Sequence, residues 1–318
     1  MRAFTRNRYG GPEVLQLDKV EKPSLKDDHI LVKVVANSIN PADWHILRGE
    51  PYFARLKFGL LSPRERIPGA DFSGIVEAVG SKVSWFKVGD RVFGSRLDGG
   101  AFAEFVSVPE TVCAAMPSKT AFPEMSCLPI AGLTALQALI YEGKLQRGES
   151  VLINGSSGGV GHIAVQIAKI RGARVVAVCS SKNEEFVASL GADHVIAYDK
   201  ESIHAHRGKY DLVVDTNGNL YHDDYCRMGH RGVVLGYTNL SHMMKLMLRK
   251  TLSNFPLSQF SADMNTEDLN TLAAWVQNGV LKVAIDKTFP FEETPQAISY
   301  IEAMRTRGKV VVLREGIW

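Results

Sequence analysis

The 318-residue chain has only four cysteines, Cys113, Cys127, Cys179 and Cys226, at no short repeated spacing. So few in so long a chain exclude a disulfide framework, and their separation excludes a locally built zinc knuckle or CxxC redox pair. Charge of one sign is also lacking: 37 Lys and Arg stand against 34 Asp and Glu, a net +3, far from the basic excess of a nucleic-acid-binding protein. No uninterrupted apolar run approaches the roughly 20 residues of a membrane span, and the opening MRAFTRNRYG has arginines without the apolar core of a signal peptide. A reducing cytoplasm is the expected location. The histidines, among them His45, His162, His204 and His206, show no HxxxH or His/Cys pairing, and NGSSGGVG contains no GxSxG elbow. Neither a metal site nor a serine nucleophile is expected from them.

What is present is ordinary globular composition, with 45% hydrophobic and 22% charged residues, in a length that suits two domains. Up to about residue 115 the chain reads as short strands with turn punctuation: Val14 to Val20, Ile30 to Asn37, Gly74 to Val79, Arg91 to Gly94 and Phe102 to Val108. From Ala131 helices alternate with strands, the latter at Val151 to Asn154, Arg174 to Cys179, His194 to Tyr198, Asp211 to Thr216 and Gly232 to Tyr237. Between them Val160 to Ile170 and Glu184 to Leu190 have helical length and periodicity, the signature of a doubly wound parallel sheet. After Gln259 come a helix over Thr266 to Asn278, a strand near Val283 to Phe289, a helix capped by Thr294 running to Arg305, and a strand Lys309 to Leu313, which return to the first domain. The fold class is α/β.

The strongest local signal is VLINGSSGGVGHIAVQIAKIRGARVVAVCSS, a strand, a glycine turn, a helix and a second strand. In such a unit glycine permits the tight turn and the close approach of backbone to a pyrophosphate, and the helix N-terminus supplies amides and a favourable dipole. Gly155, Ser156, Ser157, Gly158, Gly159, Val160 and Gly161 are therefore the expected dinucleotide cradle. The two serines depart from strict GxGxxG spacing, which is tolerable if their backbone or hydroxyls face phosphate. An NAD enzyme places an acid at the tip of the second strand for the ribose 2′-hydroxyl. Here the tip is Cys179, Ser180, Ser181 and Lys182, with two hydroxyls and an ammonium to receive a 2′-phosphate. NADPH is the expected cofactor. A cap on the next helix accounts for Ser180 and Ser181 equally well.

The series YGGPEVLQL, ILVKVVANSINPADW, IPGADFSGIVEAVG, FKVGDRVFG, GGAFAEFVSV, AGLTALQAL and NGSSGGVG resembles the medium-chain dehydrogenase/reductase superfamily. Within it the likeness is to the zinc-free quinone oxidoreductases (zeta-crystallin-like) and the related alkenal reductases, and it covers essentially the whole chain. The resemblance implies a GroES-like β-rich substrate domain from residues 1–120 and 262–318, a Rossmann domain from 121–261, a cleft between them, and a homodimer. Where zinc alcohol dehydrogenases carry a cysteine ligand the chain has Asn40, and where they carry Gly-His-Glu it has Gly69, Ala70 and Asp71. No metal is expected. Without a Lewis acid a conjugated acceptor is the easier substrate, because charge arriving with the hydride delocalises onto oxygen.

The resemblance also places candidates in the cleft. Asn40 and Asp43 of NPAD stand beside the nicotinamide, unless Pro41 and Asp43 simply form and cap a turn. Tyr52 falls where related enoyl reductases carry a proton-donating tyrosine, although a loop aromatic also packs. Thr134, Tyr198, Gly236, Tyr237 and Lys309 match family positions at the cofactor, each with a plain structural alternative. The loop Tyr52 to Arg66 is a hydrophobic wall for a bulky substrate, or is anchored by Phe53, Phe58, Leu60 and Leu61. The Met and Leu stripe of LSHMMKLMLRKTL reads as core or dimer packing. The expected function is zinc-independent, NADPH-dependent reduction of a quinone or an α,β-unsaturated carbonyl. The alternatives are an NADPH-binding protein with little turnover, or a zinc-free alcohol dehydrogenase.

Overall fold

The computed structural model describes residues 1–205 and 209–314; His206 lies outside them. In chain order the elements are β1 (Arg2–Thr5), β2 (Gln16–Lys19), β3 (His29–Ile39), α1 (Pro41–Arg48), α2 (Arg55–Phe58), β4 (Asp71–Val79), β5 (Arg91–Ser95), β6 (Phe105–Pro109), β7 (Cys113–Ala115), α3 (Phe122–Ser126) and α4 (Pro129–Gln137). There follow β8 (Ser150–Asn154), α5 (Gly161–Ile170), β9 (Arg174–Cys179), α6 (Glu184–Ser189), β10 (His194–Ala197), β11 (Tyr210–Asp215), α7 (His222–Met228), β12 (Gly229–Val234), α8 (Leu240–Thr251) and β13 (Leu257–Gln259). The last are α9 (Thr266–Gln277), β14 (Ile285–Pro290), α10 (Thr294–Glu302) and β15 (Lys309–Leu313).

These elements form two compact units. One comprises Met1–Ile130, Met264–Gly279 and Val283–Trp318, the other Ala131–Asp263 with Val280–Lys282. The first boundary lies ten residues later than the division at 120/121 that the family resemblance implies. The reason is α3, which packs on β3 and β4 and accepts a hydrogen bond at the Phe122 carbonyl from Ser73 Oγ at 2.7 Å.

In the first unit seven strands run in the order β14-β15-β3-β4-β5-β7, with β6 paired to β3. The long β3 carries Ile30, Val32 and Val34 into a core with Phe72, Val76, Val92, Val106 and Val108. A second core gathers Phe4, Ile39, Leu47, Phe102, Phe291 and Ile298 with Val310 and Val312 of β15. With β14 on one side and β3 on the other, β15 lies inside the sheet. Thr294 is the first residue of α10 rather than its cap, its hydroxyl donating to the Phe291 carbonyl.

The second unit is a six-stranded parallel sheet in the order β10-β9-β8-β11-β12-β13. Strands covered on both faces read as continuous apolar runs, and Val151 to Ile153, Val175 to Cys179 and Leu212 to Val214 are all buried. The strand order reverses beside β8, and in open α/β sheets ligands bind outside the carboxyl ends of the strands at such a switch point. The turn after β8 is the glycine turn.

Candidate functional site

Gly155 opens the turn with φ +81°, a left-handed conformation that suits glycine. A side chain there would also strike Thr216 Oγ1 and Asn217 Oδ1, both 2.5 Å from a Cβ. Gly161, the first residue of α5, is fixed by space instead, since its Cβ would lie 2.1 Å from the Gly155 carbonyl oxygen. By contrast, a Cβ on Gly158 would meet nothing closer than 3.4 Å, and one on Gly236 nothing within 4 Å. Gly158 N–H donates back to Gly155 O, and His162 N–H to Gly158 O. Among the described residues the amides of Gly159, Val160 and Gly161 have no protein acceptor. Three free donors at the positive end of a helix dipole form an anion cradle, and this donor set fits a pyrophosphate.

The two serines of the turn behave differently. Ser156 is fully buried, and both its N–H and its hydroxyl donate to the Val178 carbonyl, at 3.0 and 2.8 Å. It pins the turn to β9 and has no donor left, which corrects the expectation that it faces phosphate. Ser157 is partly exposed, its oxygen accepting from Asn183 Nδ2 at 3.1 Å. The same amide donates to Ser180 Oγ at 3.2 Å, so Asn183, absent from the sequence reading, ties the glycine turn to the tip of β9.

Beside the turn, buried Asp215 accepts from the amides of Asn217, Gly218 and Leu220 at 3.1, 3.0 and 2.9 Å and from Asn154 Nδ2 at 2.8 Å. Burial pushes its pKa up against the opposing pull of these donors. The carboxylate thereby organises the loop that rests on Gly155. Its signal in the sequence was an acid ending an apolar strand, in VVDTNG.

Of the remaining candidates in this unit, Thr134 is partly exposed on α4 and Lys182 is exposed. Tyr198, at 59% exposure, follows β10 with its N–H on the Cys179 carbonyl at 3.0 Å. Tyr237 lies against the core of this unit, edge-on to His242. Its hydroxyl is buried without a partner among the described residues, and burial raises its pKa to about 12. One His/Cys pair that the sequence reading denied does exist on α7, where Cys226 Sγ lies 3.6 Å from His222 Nδ1.

The first unit brings together Asn40, Asp43 and Lys309, and adds Asp71, noted in the sequence only as a departure from Gly-His-Glu. All four are buried. Pro41 starts α1, and the Asp43 carboxylate reaches back to accept the Asn40 N–H at 2.7 Å. The Asn40 amide faces the other way: its oxygen accepts from Lys309 Nζ at 2.5 Å and its nitrogen donates to Asp71 Oδ2 at 2.8 Å. Lys309 Nζ also donates to the Ile39 carbonyl at 3.3 Å. The lysine expected at the cofactor is thus the cation of this cluster. Burial raises Asp43 to about 7, aided by the charge of Asp71. Burial likewise raises Asp71 to about 6, against the ammonium of Lys309 and the hydrogen bond from Asn40.

Tyr52 stands apart from this cluster. It is 69% exposed in a single 3₁₀ turn, with the Arg55 guanidinium 4.8 Å from its ring centre. The segment that follows is helical at α2, and Leu60 and Leu61 do not anchor it, since they are 64% and 92% exposed.

Residues 26–118 match the alcohol dehydrogenase GroES-like domain, and residues 190–312 match a zinc-binding dehydrogenase domain. The chain is 35% identical to a chloroplast envelope quinone oxidoreductase homolog of Arabidopsis thaliana, over 98% of each. The chain belongs to the medium-chain dehydrogenase/reductase superfamily. Another superfamily relative, the chloroplastic NADPH-dependent alkenal/one oxidoreductase of Arabidopsis thaliana, is 34% identical over 98% of this chain and 79% of its own length. Among solved structures, the quinone oxidoreductase from Coxiella burnetii superposes with a TM-score of 0.87 at 30% identity, covering 98% of this chain and 99% of that one. This medium-chain dehydrogenase/reductase is an oxidoreductase built from a GroES-like unit and a Rossmann unit, and no helix among its described residues is long and apolar enough to cross a membrane.

Proposed function

We propose that the chain transfers hydride from NADPH to a quinone or an α,β-unsaturated carbonyl without a metal. The observation that carries the cofactor is the run of free amides at Gly159 to Gly161 beside the sheet's switch point. The nicotinamide supplies the hydride, and the chain's residues bind and orient. Three relatives bear names of this chemistry: the alkenal/one oxidoreductase, the 2-methylene-furan-3-one reductase of Solanum lycopersicum and the quinone oxidoreductase of Homo sapiens. Metal independence is supported by the cluster around Asn40, where the cation is the ammonium of Lys309 and the carboxylates of Asp71 and Asp43 take hydrogen bonds from Asn40, whereas a zinc site needs three or four thiolate, imidazole or carboxylate donors in a tetrahedral arrangement.

Exposed Tyr52 is the proton donor of this reading, and buried Asn40 and Asp43 act as positioning residues. A cytoplasmic homodimer completes it. Free cysteines, three of them buried, suit a reducing compartment, and β13 leaves an open sheet edge for a second copy. The test is cofactor oxidation by metal-stripped protein offered 1,2-naphthoquinone and a short-chain enone in parallel. Turnover of either, with Tyr52→Phe lowering kcat on the enone about a hundredfold at unchanged NADPH affinity, is the expected result. Tight NADPH binding with no turnover of either acceptor would leave a binding protein instead.

A further inference from the structure

A carboxylate is missing from the tip of β9 in sequence, where Ser180, Ser181 and Lys182 follow Cys179, yet the fold supplies one from the neighbouring strand. β10 runs parallel to β9 with Ala197 opposite Cys179, and the Tyr198 N–H continues that pairing onto the Cys179 carbonyl. The next residue, Asp199, therefore arrives beside Ser181. Its Oδ1 accepts the Ser181 N–H at 2.7 Å and its Oδ2 accepts the Ser181 hydroxyl at 2.8 Å. Both donors that a 2′-phosphate would take from Ser181 are thus held by an anion of this chain. The hydrogen bonds from Ser181 keep the carboxyl ionised, below its ordinary range.

The surrounding charges do not offset it. Lys200, next in sequence, is paired with Glu184 at 2.8 Å. Ser180 Oγ is engaged with Asn183 Nδ2, and Asn183 is buried. Glu185 adds a further exposed acid. Among the described residues Lys182 is the cation left uncommitted at this tip. Lys182, Glu184, Glu185, Asp199 and Lys200 sum to two positive and three negative charges, a poor field for a group carrying nearly two negative charges.

We infer that Asp199 is the specificity-determining residue at the adenosine ribose, opposing the 2′-phosphate of NADPH while leaving NADH unopposed, so that the chain binds both nucleotides with little discrimination. It repels a 2′-phosphate as an acid at the strand tip does in NAD enzymes, but with both oxygens held by Ser181, and it is displaced by one strand in space and by 20 residues from Cys179. The inference rests on the nicotinamide reading above and bears on which nicotinamide nucleotide is held. Two like charges a few ångströms apart at a hydrated surface change affinity by about three- to tenfold, and the effect fades with salt.

The experiment titrates the full chain with NADH and with NADPH, following the fluorescence of the reduced nicotinamide, for the native protein and for Asp199→Asn and Asp199→Ser. Native dissociation constants for the two nucleotides within about tenfold of each other are expected. Both variants should then tighten NADPH about three- to tenfold, with NADH moving less than twofold and the NADPH gain shrinking in high salt. Unchanged NADPH affinity, or equal changes for both nucleotides, would overturn the inference, since a purely structural role for the Ser181 contact moves both alike. Binding of neither nucleotide would bring down the nicotinamide reading and this inference with it, an outcome that a selective or an equal response distinguishes.

Discussion

The cluster around Asn40 and the turn after β8 handle polar groups in opposite ways. In the GroES-like unit an ammonium, an amide and two carboxylates are buried and largely satisfy one another. In the Rossmann unit glycines keep side chains away, and three consecutive amides are left without a partner among the described residues. A closed cluster contributes shape and orientation, and its integrity is a stability matter, because breaking a buried charge arrangement leaves an uncompensated charge. An open turn contributes affinity for something from outside, and damage to it falls first on binding. The comparison teaches where to look for each kind of failure.

The largest effect expected is from Lys309→Met, which removes the only cation of the closed cluster and leaves the Asn40 oxygen without its donor. A loss of about 3 kcal/mol or more is expected in urea denaturation, and a loss under 1 kcal/mol would show that the cluster is not the closed unit described. Next, Gly161→Ala forces a Cβ onto the Gly155 carbonyl. It should cost about 1–3 kcal/mol as overpacking and weaken nucleotide binding at least tenfold in a fluorescence titration. An unaffected titration would separate the amides from the cofactor.

The third effect concerns pH. Folded Asp43 holds its proton to about 7, whereas the unfolded chain releases it near 3.8, so unfolding releases a proton anywhere between. Stability from this group is full below about pH 4 and is lost as pH rises through 7. Thermal melts should fall across that window, and Asp43→Asn should flatten the fall; equal slopes would mean that the carboxyl is ionised throughout. The smallest effect sharpens the contrast inside the turn. Ser156→Ala loses one buried hydrogen bond and about 1 kcal/mol with little change in binding, whereas Ser157→Ala should leave stability within about 0.5 kcal/mol and weaken binding severalfold. A reversal would place Ser156 at the phosphate after all.

Legibility in the sequence followed the range of the interactions. Arg174–Cys179 and Lys309–Leu313 were readable to the residue because an apolar run bounded by turn residues is a local property. So was the glycine turn with its helix. Asp71, Asp199 and the burial of Lys309 were not, since each depends on which strand lies beside which. β3 and β15 pair across some 270 residues, and nothing near Lys309 in sequence announces Asn40. The hydrophobic residues of 52–66 left two readings open for a related reason: apolar character does not by itself say that a surface exists nearby to cover it.

The placement of β15 also orders events during synthesis. With β4 and β6 made, only the Ala36–Ile39 stretch of β3 still lacks a neighbour on one side, and that partner is made only after the whole Rossmann unit has followed. At roughly 5–20 residues per second that interval is on the order of tens of seconds. Throughout it, Asn40 and Asp71 have no ammonium to meet, and the apolar face that receives Val310 and Val312 stays uncovered. The nascent chain therefore passes through a stage in which its Rossmann half can close while its GroES-like half waits for its last strand. Protease added to ribosome-stalled chains ending before residue 309 should cut the first 130 residues and spare the middle.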